Sequence, residues 1–391
     1  MRVLSVCHYL PDPGRPAAGG FVLARIAAMA RQAAVTVLQP VPYFPLLRPL
    51  PGWAREAQHE ADGQRIAHAP MLYLPGVLKS LDARWLERAV LAALPRLGGP
   101  AAFDVLDAHF GYPDGAGCVR AARRIGKAAF VTVRGLETDV VEDPATGPEL
   151  VASLNAAAGV VSVSHTLRDL LVSRGVRAAQ FRVVPNAVDR ARFHPGDSAA
   201  ARAALGVPAG VPLVACVGNL IELKRHHVLV DAFARLRSVA PAARLVIVGG
   251  GESEPAYEQR LRRQVDEAGL GAAVRFTGRI PGAEVARWLQ AADVFALATS
   301  REGCCNSVLE ALATGRPVVT APAGDNAHFV REGMNGHLVP IDDASALAAA
   351  LGQALDRRDW DAAAISRSLA VGDWDAVAGE VLHFFRERVA A

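Results

Sequence analysis

Two carboxylates, Glu302 and Glu310, stand on either side of a strand-to-helix turn within residues 300–317. Residues 293–298 carry the unbroken apolar pattern of a buried strand, 317–320 carry another, and the sequence between them predicts a helix from about Asn306 to Gly315. A helix N-terminus gathers unpaired backbone N–H groups and partial positive charge, which suits a phosphate. Glu310, one turn into that helix, is placed to accept two hydrogen bonds from a diol such as a ribose, and Glu302 in the loop can reach a second hydroxylated ring. The stretch is suited to a nucleotide joined to a polyol.

Other residues with chemical potential lie at comparable handovers. After the strand pattern 213–217 comes Gly218-Asn219, then Lys224 and Arg225 just before a helix over 226–239. Cations at that point can meet a phosphate. Gly249 and Gly251 follow the strand pattern 244–248, but Glu254 stands where a nicotinamide fingerprint needs its third glycine. In the first half, the strand pattern 103–109 delivers His109 to its C-terminal end, the edge at which open α/β sheets bind ligands. A histidine there can act as a base or hydrogen-bond a sugar hydroxyl. Gly19 and Gly20 pass a first strand (2–7) to a helix (21–32) and let a ligand approach the backbone. Glu137-x-Asp139 has the look of a metal-binding pair, but one such spacing supports no metal expectation.

These residues need two strand–helix series to hold them, and 391 residues suffice for two cores. The expected division is 1–190, 191–370 and a terminal segment 371–391, with 190–212 as the connection. Helix 374–389 has the apolar stripe Val377, Val381, Leu382, Phe385 and is expected to pack back toward the first domain. Five prolines within 40–53 predict an apolar loop, with Tyr43, Phe44, Leu46, Leu47 and Trp53, that packs on its own domain or touches a membrane interface or lipid-linked acceptor. Residues 70–90 add a second apolar loop and the start of an amphipathic stretch, 81–94. The first 190 residues hold 21 basic and 16 acidic side chains and the remainder 21 and 23, so only the first half is mildly basic. The net charge of +3 argues neither for nor against nucleic acid, and no nucleic-acid partner is expected; the mildly basic first half suits an anionic membrane surface or an acidic acceptor, or is a plain solvated surface. Five cysteines without metal spacing imply reduced thiols. With no secretory apolar region and no run of 18 apolar residues, the expectation is a cytoplasmic protein, at most peripheral on the inner membrane face.

The ordered motifs together resemble a known family. They are Val184-Pro185-Asn186-Ala187-Val188-Asp189, the Gly218–Lys224 loop, Gly249-x-Gly251, Phe276-x-Gly278, Glu302 followed after seven residues by Glu310-Ala311-Leu312-Ala313-Thr314-Gly315-Arg316-Pro317, and Glu332-Gly333-x-Asn335-Gly336-His337-Leu338-Val339-Pro340. The chain resembles the retaining, nucleotide-sugar-dependent glycosyltransferases of family 4 (glycosyl transferases group 1). Their α/β architecture, GT-B, sets two Rossmann-like doubly wound domains facing each other across a cleft. The resemblance implies that Glu310 holds the ribose, Glu302 with Gly303 the transferred sugar, and the N–H groups around Asn306 and Ser307 the diphosphate. It implies that Lys224 neutralises the leaving diphosphate in place of a metal, that Gly218, Asn219, Gly249 and Gly251 line the donor loops, and that Ile280 contacts the base. Across the cleft it implies His109 at the sugar and reacting centre and Gly19-Gly20 facing the phosphates, with His109, Lys224 and Glu302 as the catalytic set.

The expected activity is retaining, metal-independent and cofactor-free transfer of a hexose-type sugar from a UDP- or GDP-linked donor to a polysaccharide or lipid-linked glycan. The alternatives are a non-catalytic sugar-nucleotide-binding protein and an epimerase or phosphorylase on the same architecture. The chain departs from the family's pattern at Asn219, where arginine is usual, and at Arg225, where glycine is usual; Arg225 is a candidate replacement for the missing cation. It departs again at Gly324-Asp325-Asn326-Ala327-His328, in the loop expected to face the donor sugar, and at Cys304-Cys305.

Overall fold

The computed structural model describes residues 1–390 apart from Ala17, Leu46, Pro75 and Glu252, so Leu46 of the apolar loop named above lies outside the described residues. The chain divides into two compact α/β units: Met1–Ala187 with Gly372–Ala391, and Val188–Val371.

The first unit is built on eight strands: β1 Arg2–Val6, β2 Ala34–Tyr43, β3 Gln58–Ala61, β4 Gln64–Leu72, β5 Val105–His109, β6 Ala128–Val133, β7 Gly159–Ser162 and β8 Phe181–Val183. Their order is β3-β4-β2-β1-β5-β6-β7-β8. All pairs are parallel except β3 with β4. The chain winds outward from β1, then returns to β5, so the strand order reverses between β1 and β5. That reversal opens a crevice at the C-terminal strand ends. β5 is buried along its whole length, as a strand covered on both faces must be. The terminal helix, Trp374–Ala390, buries Val377, Val381, Leu382, Phe384 and Phe385. Phe385 stacks on Phe130 of β6 at 4.1 Å between centroids, and Arg31 pairs with Asp375.

Two features of this unit differ from the sequence expectation. Pro40 and Pro42 lie inside β2, which pairs with β4 through Pro40↔Ala69 and Pro42↔Met71. β1 reaches only as far as Leu38, so beyond that residue β2 is bonded on one side and a missing N–H costs little. Residues 58–69, unassigned from sequence, and 70–72, expected in the second apolar loop, form the β3–β4 hairpin. Its turn residues Asp62 and Gly63 both have positive φ, 46° and 70°, a geometry that Asp-Gly favours.

The second unit carries β9 Leu213–Val217, β10 Arg244–Val248, β11 Val274–Gly278, β12 Val294–Leu297, β13 Val318–Thr320 and β14 Gly336–Leu338, in the order β11-β10-β9-β12-β13-β14 and all parallel. Here the reversal lies between β9 and β12. Residues 190–212, expected as a bare connection, contain the helix Ser198–Leu205, capped by Asp197 through the N–H groups of Ala199 and Ala200. Arg202 ties that helix to the sheet by donating to Asp293 at 2.7 Å and to the Ala291 carbonyl at 2.9 Å.

Candidate active site

In the second unit the loops leaving β9 and β12 are stitched at one carbonyl. Leu223 O accepts from the Ser300 N–H at 3.0 Å, the Ser300 hydroxyl at 3.1 Å and the Thr299 hydroxyl at 3.3 Å. This places Lys224 Nζ 2.6 Å from Glu302 Oε1, with both side chains largely buried. Burial alone lowers the ammonium pKa, but Glu302 at this distance raises it, so Lys224 stays charged. Gly324, at φ 57°, brings the 324–328 loop onto the same backbone: a Cβ there would stand 2.6 Å from Glu302 O.

The helix Asn306–Ala313 begins directly beyond this pair. Its cap residue, Cys305, makes no side-chain cap hydrogen bond to the first turn, and its Sγ lies 3.5 Å from Ser307 Oγ; the start of a helix is where backbone N–H groups can meet an anion. One turn in, the Glu310 carboxylate makes no hydrogen bond among the described residues. Burial pushes its pKa up to about 8, only partly offset by Arg192. A carboxylic acid in that state lacks the donors that would keep it ionised, and a diol supplies two.

The remaining donor-loop residues fall around the same edge. Gly249, at φ 146°, lies so close to β9 that a Cβ would be 1.9 Å from Gly218 O. Gly251 donates its N–H to Glu258 at 3.0 Å, so that donor is already engaged. Asn219 accepts from Arg279 at 3.4 Å. Arg225 adopts φ 53°, which explains why glycine suits this position, and its guanidinium faces Asp342 at 3.1 Å and Glu222 at 3.4 Å. Ile280 is half-buried after β11, two strands from β9.

In the first unit, His109 does end β5, but its ring is closed off. It is 0% exposed. Nε2 lies 2.9 Å from Ser5 Oγ and 3.2 Å from Asp107 Oδ2, while Nδ1 faces Arg25 at 3.3 Å and Arg134 at 3.2 Å. Guanidinium groups only donate, so Nδ1 accepts and the proton sits on Nε2. Burial first, and the two arginines after it, lower the imidazole pKa to about 4 despite Asp107. Asp107 itself is driven up by burial but held down to about 2 by His109, Arg25 and Ser5. In this arrangement no ring nitrogen is open to a substrate, and His109 orients Arg134 and Arg25. Gly19, at φ 59°, is needed where it stands, since a Cβ would meet Tyr9 O at 2.0 Å; Gly20 opens the helix Gly20–Ala30 with free space beside it. Glu137 accepts from the N–H groups of Gly111, Arg134 and Gly135 at 2.5, 2.9 and 2.8 Å, which fixes the loop after β6.

The structure also brings forward residues the sequence does not single out. His226, 1% exposed, has no hydrogen-bond partner at either ring nitrogen among the described residues, lies beside Lys224, and burial lowers its pKa to about 3. Its position at the start of a helix after two cations is the one signal for it. His8, after β1, pairs with the buried Asp114 at 2.7 Å across the β1–β5 reversal. Burial would lower its pKa, but Asp114 outweighs that and raises it.

Comparison with known proteins gives the chain its relatives. Residues 22–192 match the family model described as Glycosyltransferase Family 4, and residues 211–357 match Glycosyl transferases group 1. A D-inositol 3-phosphate glycosyltransferase of Acidothermus cellulolyticus is 33% identical over 275 residues, 66% of this chain and 60% of that protein. One of the same name from Nocardia farcinica is 36% identical over 203 residues, 51% of this chain and 45% of that protein. The chain thus spans about half the length of the curated relatives it matches. Among solved structures, sucrose-phosphate synthase from Thermosynechococcus elongatus superposes with a TM-score of 0.80 at 23% identity over 100% of both chains. Anabaena HepE, solved with UDP and glucose, gives 0.77 at 20% identity over 99% of both.

Proposed function

The chain belongs to glycosyltransferase family 4, and from that membership we propose that it transfers a hexose-type sugar from a UDP-sugar to a hydroxylated acceptor, with retention of anomeric configuration and without a metal ion. The observation that carries this reading is the Lys224–Glu302 pair at the β9–β12 reversal, followed one helical turn on by Glu310, a buried carboxylate with no hydrogen bond among the described residues. HepE, of the same fold, was crystallised with UDP and with UDP-glucose, which supports uridine over guanosine.

Each group has one task in this reaction. Glu310 accepts from the ribose hydroxyls. The Asn306 and Ser307 N–H groups and the Lys224 ammonium bind the diphosphate, and Lys224 stabilises the charge that grows as the bond from the anomeric carbon to the phosphate oxygen breaks. Glu302 accepts from hydroxyls of the hexose and fixes its orientation. The acceptor oxygen forms the new bond to the anomeric carbon, and its proton passes to an oxygen of the departing diphosphate. A polysaccharide, a lipid-linked glycan and a phosphorylated polyol all present the hydroxyl this requires.

Incubation of the purified chain with UDP-hexoses and GDP-hexoses in the presence of chelator tests the reading. The expected result is slow UDP release that is abolished by Glu310→Ala. Failure of every nucleotide sugar to bind or to be hydrolysed overturns it.

A further inference from the structure

We propose that His59 and His68 share a third ring proton and act as a proton-held latch, tying the β3–β4 hairpin to the loop after β1 while that proton is bound. The inference stands on the geometry of the first unit and does not depend on the transferase reading.

His59 on β3 stands opposite Ile66 of β4, so His68, two residues on, is its diagonal neighbour on the same face. His59 Nδ1 lies 2.6 Å from His68 Nε2. The ring centres are 4.9 Å apart and the planes 24° apart, so the rings meet edge to edge, with their in-plane nitrogens facing. The outer nitrogens are also engaged. His59 Nε2 lies 2.8 Å from the Pro11 carbonyl in the loop after β1, and His68 Nδ1 lies 2.9 Å from the Glu56 carbonyl. Trp53 sets its ring edge-on to both, at 5.8 and 5.1 Å between centroids.

A carbonyl oxygen only accepts, so each outer nitrogen needs a proton to bond it. Two neutral rings carry two protons in all. With both on the outer nitrogens, two bare lone pairs face each other across the central gap. Moving one inward makes the central bond and turns a bare nitrogen toward a carbonyl instead. A third proton completes all three bonds at once and gives the pair one positive charge; the short central distance fits a charge-assisted bond. A fourth proton would set two N–H groups against each other across the same gap. The pair therefore takes one charge and refuses a second.

The surroundings add no counter-charge strong enough to change that count. His68 is 1% exposed, and His59 is half-buried. Burial lowers the His68 pKa, and His59 and Arg96 lower it further, against the Glu56 carbonyl and carboxylate. Burial thus opposes any charge here; the hydrogen bonds hold the first, and nothing holds another. Asp12, next to Pro11, is paired with Arg15 at 3.0 Å. Gln39, beside His68 in the β2–β4 register, is neutral and donates to the Leu10 carbonyl at 3.4 Å. Glu60 and Arg65 are opposite each other in register, on the other face of the hairpin.

The sign of the pH dependence follows. Both histidines of the unfolded chain titrate near about 6.5. Above that value the folded pair keeps a proton that the unfolded chain has released, so its stability contribution falls as pH rises. Below it the unfolded chain binds two protons and the folded pair one, so the contribution falls as pH drops.

His59→Asn is the test variant, because its amide N–H takes the place of His59 Nδ1 and donates to His68 Nε2 with no extra proton. Melts of the unaltered chain and this variant across about pH 5 to 9 read the difference. Below about 6.5 each folded chain holds one proton fewer than its unfolded form, so the advantage of the unaltered chain is expected to stay constant. Above about 6.5 that advantage is expected to shrink, by up to about tenfold per pH unit in the folding equilibrium. An advantage that does not shrink above 6.5, and shrinks instead toward pH 5, belongs to a neutral pair and overturns the inference. Magnetic resonance of the unaltered chain labelled at histidine nitrogen checks the same point without a substitution. The expected spectrum at neutral pH has His59 Nε2 and His68 Nδ1 both protonated and one strongly deshielded proton between His59 Nδ1 and His68 Nε2. A bare outer nitrogen on either ring at neutral pH overturns the inference as well.

Discussion

Lys224 Nζ and Glu302 Oε1 lie 2.6 Å apart, joined across the strand reversal by two residues 78 positions apart in sequence. The pair gives the cation a fixed position before any substrate arrives. It also gives the two residues a shared energy, so removing one leaves the other charge half-buried and unpaired. The expected cost to stability is about 1–3 kcal/mol for either single variant, after allowance for their partial exposure. Lys224→Ala is expected to lower the transfer rate by about a hundredfold or more, the scale of losing one preorganised charge at a leaving group. Lys224→Met with Glu302→Gln is expected to recover the stability and not the rate. Thermal melts and UDP-release rates on the three proteins decide this; a double variant that regains activity removes Lys224 from the chemistry.

Glu310 links donor binding to pH. Its folded pKa of about 8 lies above the usual carboxylate value of 4.5, so the empty protein holds a proton that the unfolded chain releases between those limits. Stability from this group is therefore lost as pH rises through that window. A ribose bound to the ionised carboxylate reverses the preference and expels the proton. UDP affinity is expected to climb with pH and level off near 8, at up to about tenfold per unit. Glu310→Gln is expected to bind more weakly with a flat profile, and to gain in melting temperature relative to the unaltered chain between pH 5 and 8. A flat profile in the unaltered chain detaches Glu310 from the ribose.

The His109 cluster is expected to matter for stability and not for donor affinity. His109→Leu strips the shared acceptor from Arg25 and Arg134 and the donor from Ser5 and Asp107. Buried groups left without partners cost about 1–3 kcal/mol each. The pKa of about 4 adds a pH signature: below 6.5 the unfolded chain binds a proton that the folded imidazole refuses, so stability falls as pH drops toward 4. Melts at pH 7 and pH 5 are expected to show the largest loss from His109→Leu at pH 7, with a smaller gap at pH 5. Unchanged UDP affinity is the expected companion result; a large loss of UDP affinity returns His109 to a role in the donor site.

What could be read before the structure was local. The β12–helix–β13 stretch shows itself through a continuous apolar run, a turn and a helical repeat, and the helix Asn306–Ala313 begins where that pattern predicts. The Lys224–Glu302 pair is not legible, since nothing in either neighbourhood tells which loops the sheet order will bring together. His109 illustrates a second limit: the strand end is readable, but not whether the side chain meets solvent or, as found, four buried partners. In β2 the prolines suggest a loop because a central strand would reject them, and the strand survives because β1 stops at Leu38. The Asp62-Gly63 turn carried a usable hairpin signal, obscured by the polar strands on either side. Arg48 and Lys79 come from the two apolar loops and Asp82 from the start of the amphipathic stretch, and only the fold assembles them around one cavity.

Gly249 offers a test of the donor loops that leaves every charged group in place. Its φ of 146° lies in a region that residues with a side chain rarely adopt, and a Cβ would lie 1.9 Å from Gly218 O. The carbonyl of Gly218 cannot retreat freely, because its own N–H is bonded to Val248 O at 2.9 Å and Leu220 N–H to Gly250 O at 2.9 Å. Gly249→Ala therefore has to push the β9 and β10 loops apart, and with them the segment that carries Lys224 to Glu302. The strain is expected to be about 1–3 kcal/mol, enough to lower the melting temperature without unfolding the chain. UDP affinity is expected to fall about tenfold or more although Lys224, Glu302 and Glu310 are all present. The same alanine at Gly52, where nothing lies within 4 Å of the added carbon, is expected to leave both quantities nearly unchanged. If Gly249→Ala binds UDP like the unaltered chain, the close contact of the two loops is not what positions the nucleotide site.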